Sequence, residues 1–211
     1  LYRNTSTGSN YSWEFFQKIE PQGFSLSGSM FGHSLKLNKQ SGSYSGSLVV
    51  GCGNLMANQA YYYQFISGSW QQTFIFTPDM TTEYPLTFGN YEPYLINRNT
   101  TNGYGYSVST FQDTVIIGEY LDRIVYEYSG SSPYDQGSVS IYERCVNDDT
   151  KFELVLKTYG TSSIMKNNQL GYVVDMFANN AIAGIPKVNR ENMSSCFIGG
   201  TLQQLHQCEE N

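Results

Sequence analysis

Apolar and polar positions in this chain fall into short blocks, and the clearest set lies between Phe31 and Phe65. Phe31–Leu37 and Ser47–Gly51 read as two strands on either side of a Gly/Ser-rich loop, Asn38–Gly46. A tyrosine-rich strand, Tyr61–Ile66, follows a polar turn. A fourth, Trp70–Phe76, ends before Pro78, whose missing N–H stops pairing. The same plan returns twice. Tyr104-Gly105-Tyr106-Ser107-Val108 and Leu170-Gly171-Tyr172-Val173-Val174 match Phe31-Gly32-His33-Ser34-Leu35. Thr114-Val115-Ile116-Ile117-Gly118 and Asn180-Ala181-Ile182-Ala183-Gly184 match Ser47-Leu48-Val49-Val50-Gly51. The anchoring glycines Gly32, Gly105 and Gly171 stand 73 and 66 residues apart, the spacing of supersecondary units repeated along a chain.

The second repeat is expected to hold strands Tyr104–Phe111, Thr114–Glu119, Ser138–Arg144 and Phe152–Lys157, the last from the polar–apolar alternation that begins at Lys151. The third holds Leu170–Met176, Ala181–Ile185 and about Cys196–Leu205. Upstream, Ser12–Pro21 aligns with Ser69–Pro78 in its Ser, Trp and Pro, so Trp13–Ile19 reads as another strand of the fourth type. Residues 79–103, with Pro85, Pro93 and an Asn102-Gly103 turn, form a long insertion, and Ser129–Gly137 is a turn cluster. No stretch keeps a helical period; the strongest helix candidate, Thr201–Cys208, is short. The expectation is an all-β chain of about three four-stranded antiparallel repeats (about 23–78, 104–158 and 170–208). They form one domain, 12–211, after a flexible, sugar-bearing arm, 1–11. A chain that opens on a fourth-type strand and finishes on a third-type strand has the parts to close a β-propeller ring. Three blades fall short of the usual four to eight. The ring is therefore expected to be incomplete, or completed by further chain or by other copies.

Hydrophobic content of 40% excludes a disordered chain, and only 14% charge leaves the surface to be wetted by hydroxyls and amides. The net charge of −6 and the lack of a basic run argue against nucleic acid and anionic membranes as partners. No apolar run approaches the roughly 18 residues of a membrane span. No signal peptide or initiator Met is visible, so the chain is expected to be processed or partial. Four Asn-x-Ser/Thr sequons, at Asn4, Asn10, Asn99 and Asn192, lie in polar, turn-like stretches and point to N-linked glycans on a secreted or cell-surface protein. Cys52, Cys145, Cys196 and Cys208 are the disulfide candidates and allow three fully paired connectivities. Cys196 and Cys208 are close enough for a local loop. Cys52 ends an apolar strand and reads also as a buried small hydrophobe, which would leave one other cysteine over for an intermolecular bridge. None sits in a Cys-x-x-Cys pair, so zinc and thioredoxin-type readings are weak.

Phe31-Gly32-His33-Ser34-Leu35 followed by Leu48-Val49-Val50-Gly51-Cys52-Gly53 resembles an FG-GAP repeat, the blade unit of the integrin alpha-chain β-propeller and of many secreted microbial and protist proteins. In that likeness Gly118-Glu119 and Gly184-Ile185-Pro186 take the Gly-Ala-Pro position, Gly137-Ser138-Val139-Ser140-Ile141-Tyr142 the third strand, and Trp13 and Trp70 the fourth. The resemblance covers most of residues 12–200. It implies propeller blades on an extracellular adhesion or structural protein. It also implies a calcium loop between the first two strands, but Asn38–Gly46 carries no carboxylate. Calcium takes six to eight hard oxygens, preferably some charged. The second repeat offers only Asp113 and the third Asn179-Asn180, so no cofactor is expected.

Candidate chemistry is sparse. His33 and His206 sit near no nucleophile motif, and His33 occupies the slot filled by Tyr106 and Tyr172, which favours packing over catalysis. Asp148-Asp149, with Glu143 and Asn147, reads as a solvated turn rather than an acidic site. Glu119, Asp122 and Glu127 are the only candidates for a paired-carboxylate glycosidase. Tyr61-Tyr62-Tyr63 and Tyr91/Tyr94 suit packing between blades better than stacking on sugars. The expected function is that of an extracellular structural or adhesion glycoprotein, not an enzyme, making protein–protein contacts or assembling with copies of itself. The alternative is a carbohydrate-binding module or glycan-acting enzyme with a central pocket.

Overall fold

The computed structural model describes residues 1–5, 12–22, 30–38, 46–53, 58–78, 103–124, 134–135, 137–159, 169–178, 180–184, 186 and 197–198, and among them there is no helix. The expected helix Thr201–Cys208, the loop residues 39–45 and residues 79–102 of the insertion lie outside them. Strands β1 (Tyr2–Asn4) and β2 (Trp13–Phe15) form a two-stranded ribbon. Strands β3 (Phe31–Asn38), β4 (Ser47–Cys52), β5 (Ala60–Ile66) and β6 (Ser69–Phe76) form an antiparallel sheet in chain order. Strands β7 (Tyr104–Phe111) and β8 (Thr114–Glu119) lead through a small pair, β9 (Arg123–Ile124) and β10 (Tyr134–Asp135), to β11 (Ser138–Cys145) and β12 (Asp148–Tyr159). The second sheet has the order β7-β8-β11-β12. The third joins β13 (Val173–Phe177), β14 (Asn180–Gly184) and β15 (Phe197–Ile198). The fold is therefore all-β, with two four-stranded antiparallel sheets and a third of three strands.

The apolar runs of β4 and β8 are buried on both faces. Val49 packs between the first and second sheets with Tyr62, Phe76, Tyr104, Val108, Val115 and Ile117. Its neighbours Leu48, Val50 and Cys52 face the other way, with Tyr61 and Tyr63. One repeat on, Ile116 packs against Leu170, Val174 and Met176 of the third repeat, while Val115 and Ile117 face the first sheet. Each residue thus faces the same neighbour as its counterpart one repeat away, as the period of two in a strand requires.

Each repeat also opens with one backbone device. Met30, Gly103 and Gln169 have positive φ, and so do Gly32 (89°), Gly105 (79°) and Gly171 (85°) two residues later. The intervening turn closes identically, with His33, Tyr106 and Tyr172 N–H donating to the carbonyls of Met30, Gly103 and Gln169. In β3 and β7 the turn appears as a bulge. Phe31 pairs with Cys52 but Ser34 with Gly51, and Tyr104 with Glu119 but Ser107 with Gly118. In the third repeat Leu170 forms a parallel bridge to Gly137, and the strand proper starts at Val173 rather than Leu170.

Two expectations change. Residues 2–4, placed in a flexible arm, pair with 13–15, and the Arg3 guanidinium lies 3.9 Å over the Phe16 ring. Trp13–Ile19 is a strand only as far as Phe15, and Trp13 is exposed, because its pairing partner is β1 rather than a full sheet. The segment after it still lies where a fourth strand would. Ile19 packs on the Tyr61/Tyr63 face of the first sheet, as Phe76 packs on Tyr142 of the second.

A side chain at Gly118 would overlap the Gly171 carbonyl and the Ser107 hydroxyl, whereas at Gly32 there is nothing within 4 Å. Gly118→Ala should cost about 1–3 kcal/mol or more, because backbone cannot yield as a side chain can. Gly32→Ala should cost only the strain of its positive φ, about 1–2 kcal/mol. Urea unfolding of the two variants checks the order.

Candidate functional site

The contact between successive sheets is made twice with the same parts. Ser34 Oγ donates to the Gly105 carbonyl at 3.1 Å, and Ser107 Oγ to the Gly171 carbonyl at 2.7 Å. Each carbonyl rests on a bare glycine of the preceding sheet, Gly51 or Gly118, where a Cβ would collide with it. The positive-φ loop of one repeat is thus a plug, and the serine and glycine of the repeat before it are a socket. In the third repeat Val173 stands at the serine position and is exposed. A Cβ on Gly184 would meet only Val173, at 3.6 Å, among the described residues.

Beside each plug stands the residue at the variable slot. His33 and Tyr106 rings lie 4.4 Å apart and Tyr106 and Tyr172 rings 5.0 Å, with Tyr120 packed at 4.2 Å from Tyr106. A hydrogen bond to Tyr172, then burial and neighbouring phenols, push Tyr106 up to about 12. The three slots therefore form a row of rings in tilted contact across three repeats. Next to it, Lys36 of β3 reaches Asp175 of β13 at 2.6 Å, and Ser109 Oγ donates to the same carboxylate at 2.8 Å. These bonds, Lys36 first, hold the Asp175 carboxyl below its ordinary value.

Glu119 and Asp122, two of the glycosidase candidates, do come together, but with Lys157 between them. Its ammonium is 3.2 Å from each carboxylate, and all three side chains are 1–2% exposed. Ser138 Oγ also donates to Glu119, at 3.4 Å. Sequence reasoning missed Lys157, which sits in β12 across the sheet from Glu119; only sheet pairing reveals it. A carboxylate pair closed off from solvent and bridged by a cation has no room for a sugar or for the water a hydrolysis needs. It lies behind the Gly118 socket, and its place there is structural. Glu127 lies outside the described residues.

The remaining candidates are placed as follows. Asp148 caps the β11–β12 hairpin, accepting from the Thr150 hydroxyl at 2.6 Å and its N–H at 3.0 Å, with Lys151 at 3.2 Å. Those bonds, the Thr150 hydroxyl foremost, depress its pKa. Asp113 accepts from Arg144 Nε at 2.7 Å, so the second repeat's short loop offers no free carboxylate and does not fit the calcium that the FG-GAP resemblance implies. No group of three or more His, Cys, Asp or Glu suited to a metal occurs among the described residues. Tyr61, Tyr62 and Tyr63 are at most 2% exposed and pack in the sheet faces. Burial pushes Tyr61 up to about 12 and the Cys52 thiol up to about 11. Cys52 is a free, buried thiol, so it is no disulfide partner; it fills the strand-end position that Glu119 holds one repeat later. Cys145 is disulfide-bonded. Cys196 and Cys208 lie outside the described residues, as do Tyr91, Tyr94, His206 and Asn179. Of the sequons, Asn4 ends β1 and is exposed; Asn10, Asn99 and Asn192 lie outside the described residues. A cleft of about 370 Å³ opens along the seam between residues 17–22 and β6, lined by Trp70, Tyr63 and the amides of Gln17, Gln22 and Gln72. No helix among the described residues is long and apolar enough to cross a membrane.

No protein-family model matches the chain, and none of the curated proteins matches its sequence.

Lys157→Ala should destabilise the protein by about 3–5 kcal/mol by leaving two buried carboxylates without their cation, while an apolar replacement of all three residues should be close to neutral. Asp175 has a depressed folded pKa, so its contribution is present above its ordinary value of 3.8 and is lost as pH falls through the lower folded value. Because Asp175 is 62% exposed, Asp175→Asn should cost no more than about 0.5–1 kcal/mol at neutral pH, with the difference vanishing in acid and shrinking in high salt. Urea titrations at two pH values check both.

Proposed function

We propose that the chain is an extracellular structural or adhesion glycoprotein, built from FG-GAP-like, β-propeller-type blades and acting through protein–protein contacts rather than catalysis. The observation that carries this reading is the reuse of one plug-and-socket contact along the chain. The side chains that would serve chemistry are engaged in contacts within or between repeats. Ser34 and Ser107 tie carbonyls of the next repeat, His33 packs against Tyr106, and Glu119 and Asp122 share Lys157 inside the second repeat. Low charge, an exposed sequon at Asn4 and a disulfide at Cys145 suit a protein outside the cell. Apolar side chains also stand exposed on the outer faces of the first and third repeats, as on surfaces that contact other proteins.

A second reading has one observation in its favour. The cleft beside Trp70 sets an indole next to the Gln22 and Gln72 side chains, a combination suited to stacking on a sugar ring and bonding its hydroxyls, while the Gln17 amide is already bonded at both ends to the Trp70 backbone. It leads to glycan binding without turnover.

Secretion from a eukaryotic host tests the first reading. The chain should emerge with N-glycans, one of them at Asn4, as a mass loss on enzymatic deglycosylation, and should hydrolyse no glycoside. Retention as an unglycosylated chain, or hydrolysis abolished by Glu119→Gln, would overturn it. A glycan array with the native chain and Trp70→Ala decides the second: binding that the variant loses supports it, and an empty array ends it.

A further inference from the structure

Two groups of exposed apolar side chains lie on opposite outer faces, one on the first repeat and one on the third. In the second and third repeats, the residues that follow the plug face the preceding repeat and are buried there: Val108 against the first sheet, Val174 and Met176 against the second. Their counterparts in the first repeat, Leu35 and Leu37, are 63% and 55% exposed. The Gly32 loop that precedes them has nothing within 4 Å of its would-be Cβ among the described residues, and Met30 at its start is also exposed. At the other end, Val49 and Ile116 face the following repeat and are buried, while their counterpart Ile182 is 54% exposed. Val173 and Phe177 on the same face are exposed as well, and Gly184 is the one strand-end glycine of the three with no carbonyl of another repeat over it among the described residues. One molecule thus carries an unused plug and an unused socket of the kind that already fit each other twice within it.

We propose that the third repeat of one copy receives the first repeat of a second copy, with the Gly32 carbonyl seated over Gly184 and Leu35 and Leu37 covering the Ile182 face. The proposal rests on the contact-module reading above and names its partner. The contact is head-to-tail, joining different surfaces on the two copies, so an open pair still offers one free plug on one copy and one free socket on the other. Val173 replaces the serine of the internal sockets, so this joint lacks the hydroxyl-to-carbonyl bond and is weaker than the internal ones. That suits a contact that forms and parts between molecules.

The test uses the full chain and three variants. Sedimentation over a wide concentration range should show the mass rising with concentration. Among the described residues, the Cβ added by Gly184→Ala meets only Val173, in ordinary contact at 3.6 Å, so the melting midpoint should stay at the parent value. In the joint that Cβ would strike the incoming carbonyl, and association should weaken by about ten- to a hundredfold. Leu35→Glu, at an exposed site, should do the same from the plug side. Mixed together, the two single variants should form a one-to-one complex and nothing larger, since one keeps its plug and the other its socket. The double variant should stay monomeric even in mixtures. A native chain that is monomeric at every concentration overturns the proposal. So does a mass unchanged by either variant, or association that disappears when free thiols are alkylated. A monomeric chain that is nonetheless glycosylated and non-hydrolytic would leave the contact-module reading standing and remove only this partner.

Discussion

The structure depends on a carbonyl resting on a glycine. Gly105 and Gly171 turn their backbone into a positive-φ loop, and their carbonyls come so close to Gly51 and Gly118 that no side chain fits between. The serine hydroxyl that each carbonyl accepts from adds a modest amount, about 0.5–1.5 kcal/mol for an ordinary hydrogen bond. Its larger effect is geometric. Close approach at that point fixes how one sheet sits on the next, and the packing of Val49 on Val108, or Ile116 on Val174, follows from that placement.

The same constraint accounts for the polar groups. A sheet covered on both faces has little room for charge, and the chain carries little. The charge that does enter is paired locally. Lys157 sits between Glu119 and Asp122 behind the second socket, while at the matching position in the first repeat a free thiol, Cys52, fills the space with no charge at all. Two solutions to one packing position show that the site asks for volume, not for a particular chemistry. The aromatic row His33–Tyr106–Tyr172 makes the same point, since an imidazole and two phenols serve one slot in turn.

Most of the strand plan was legible because its signals are local. Strands β7 and β8 match the sequence reading to the residue, and β3 to β6 differ by a residue or two at their ends. Local pattern failed where pairing partners decide the outcome. Trp13–Ile19 has the composition of β6, yet only three of its residues are in a strand, since a neighbouring sheet strand is what turns such a segment into one. Residues 2–4 gave no apolar signal and still pair, held by β2. The candidate site divided in the same way. The slot shared by His33, Tyr106 and Tyr172 was visible in the repeats, and ring contact follows from it. The Lys157 bridge was not visible, because 38 residues separate it from Glu119 and no local pattern links them.

By itself, then, the sequence determined the repeat: where each plug glycine falls, which strands follow it, and that the chain is all-β. Periodicity and backbone freedom are properties of a few adjacent residues, so they can be read without knowing what lies nearby. Tertiary structure alone decided which glycine meets which carbonyl, which carboxylates share a lysine, and which apolar faces remain uncovered. Those are statements about partners distant in sequence, and only the packing of one sheet on another brings them within contact.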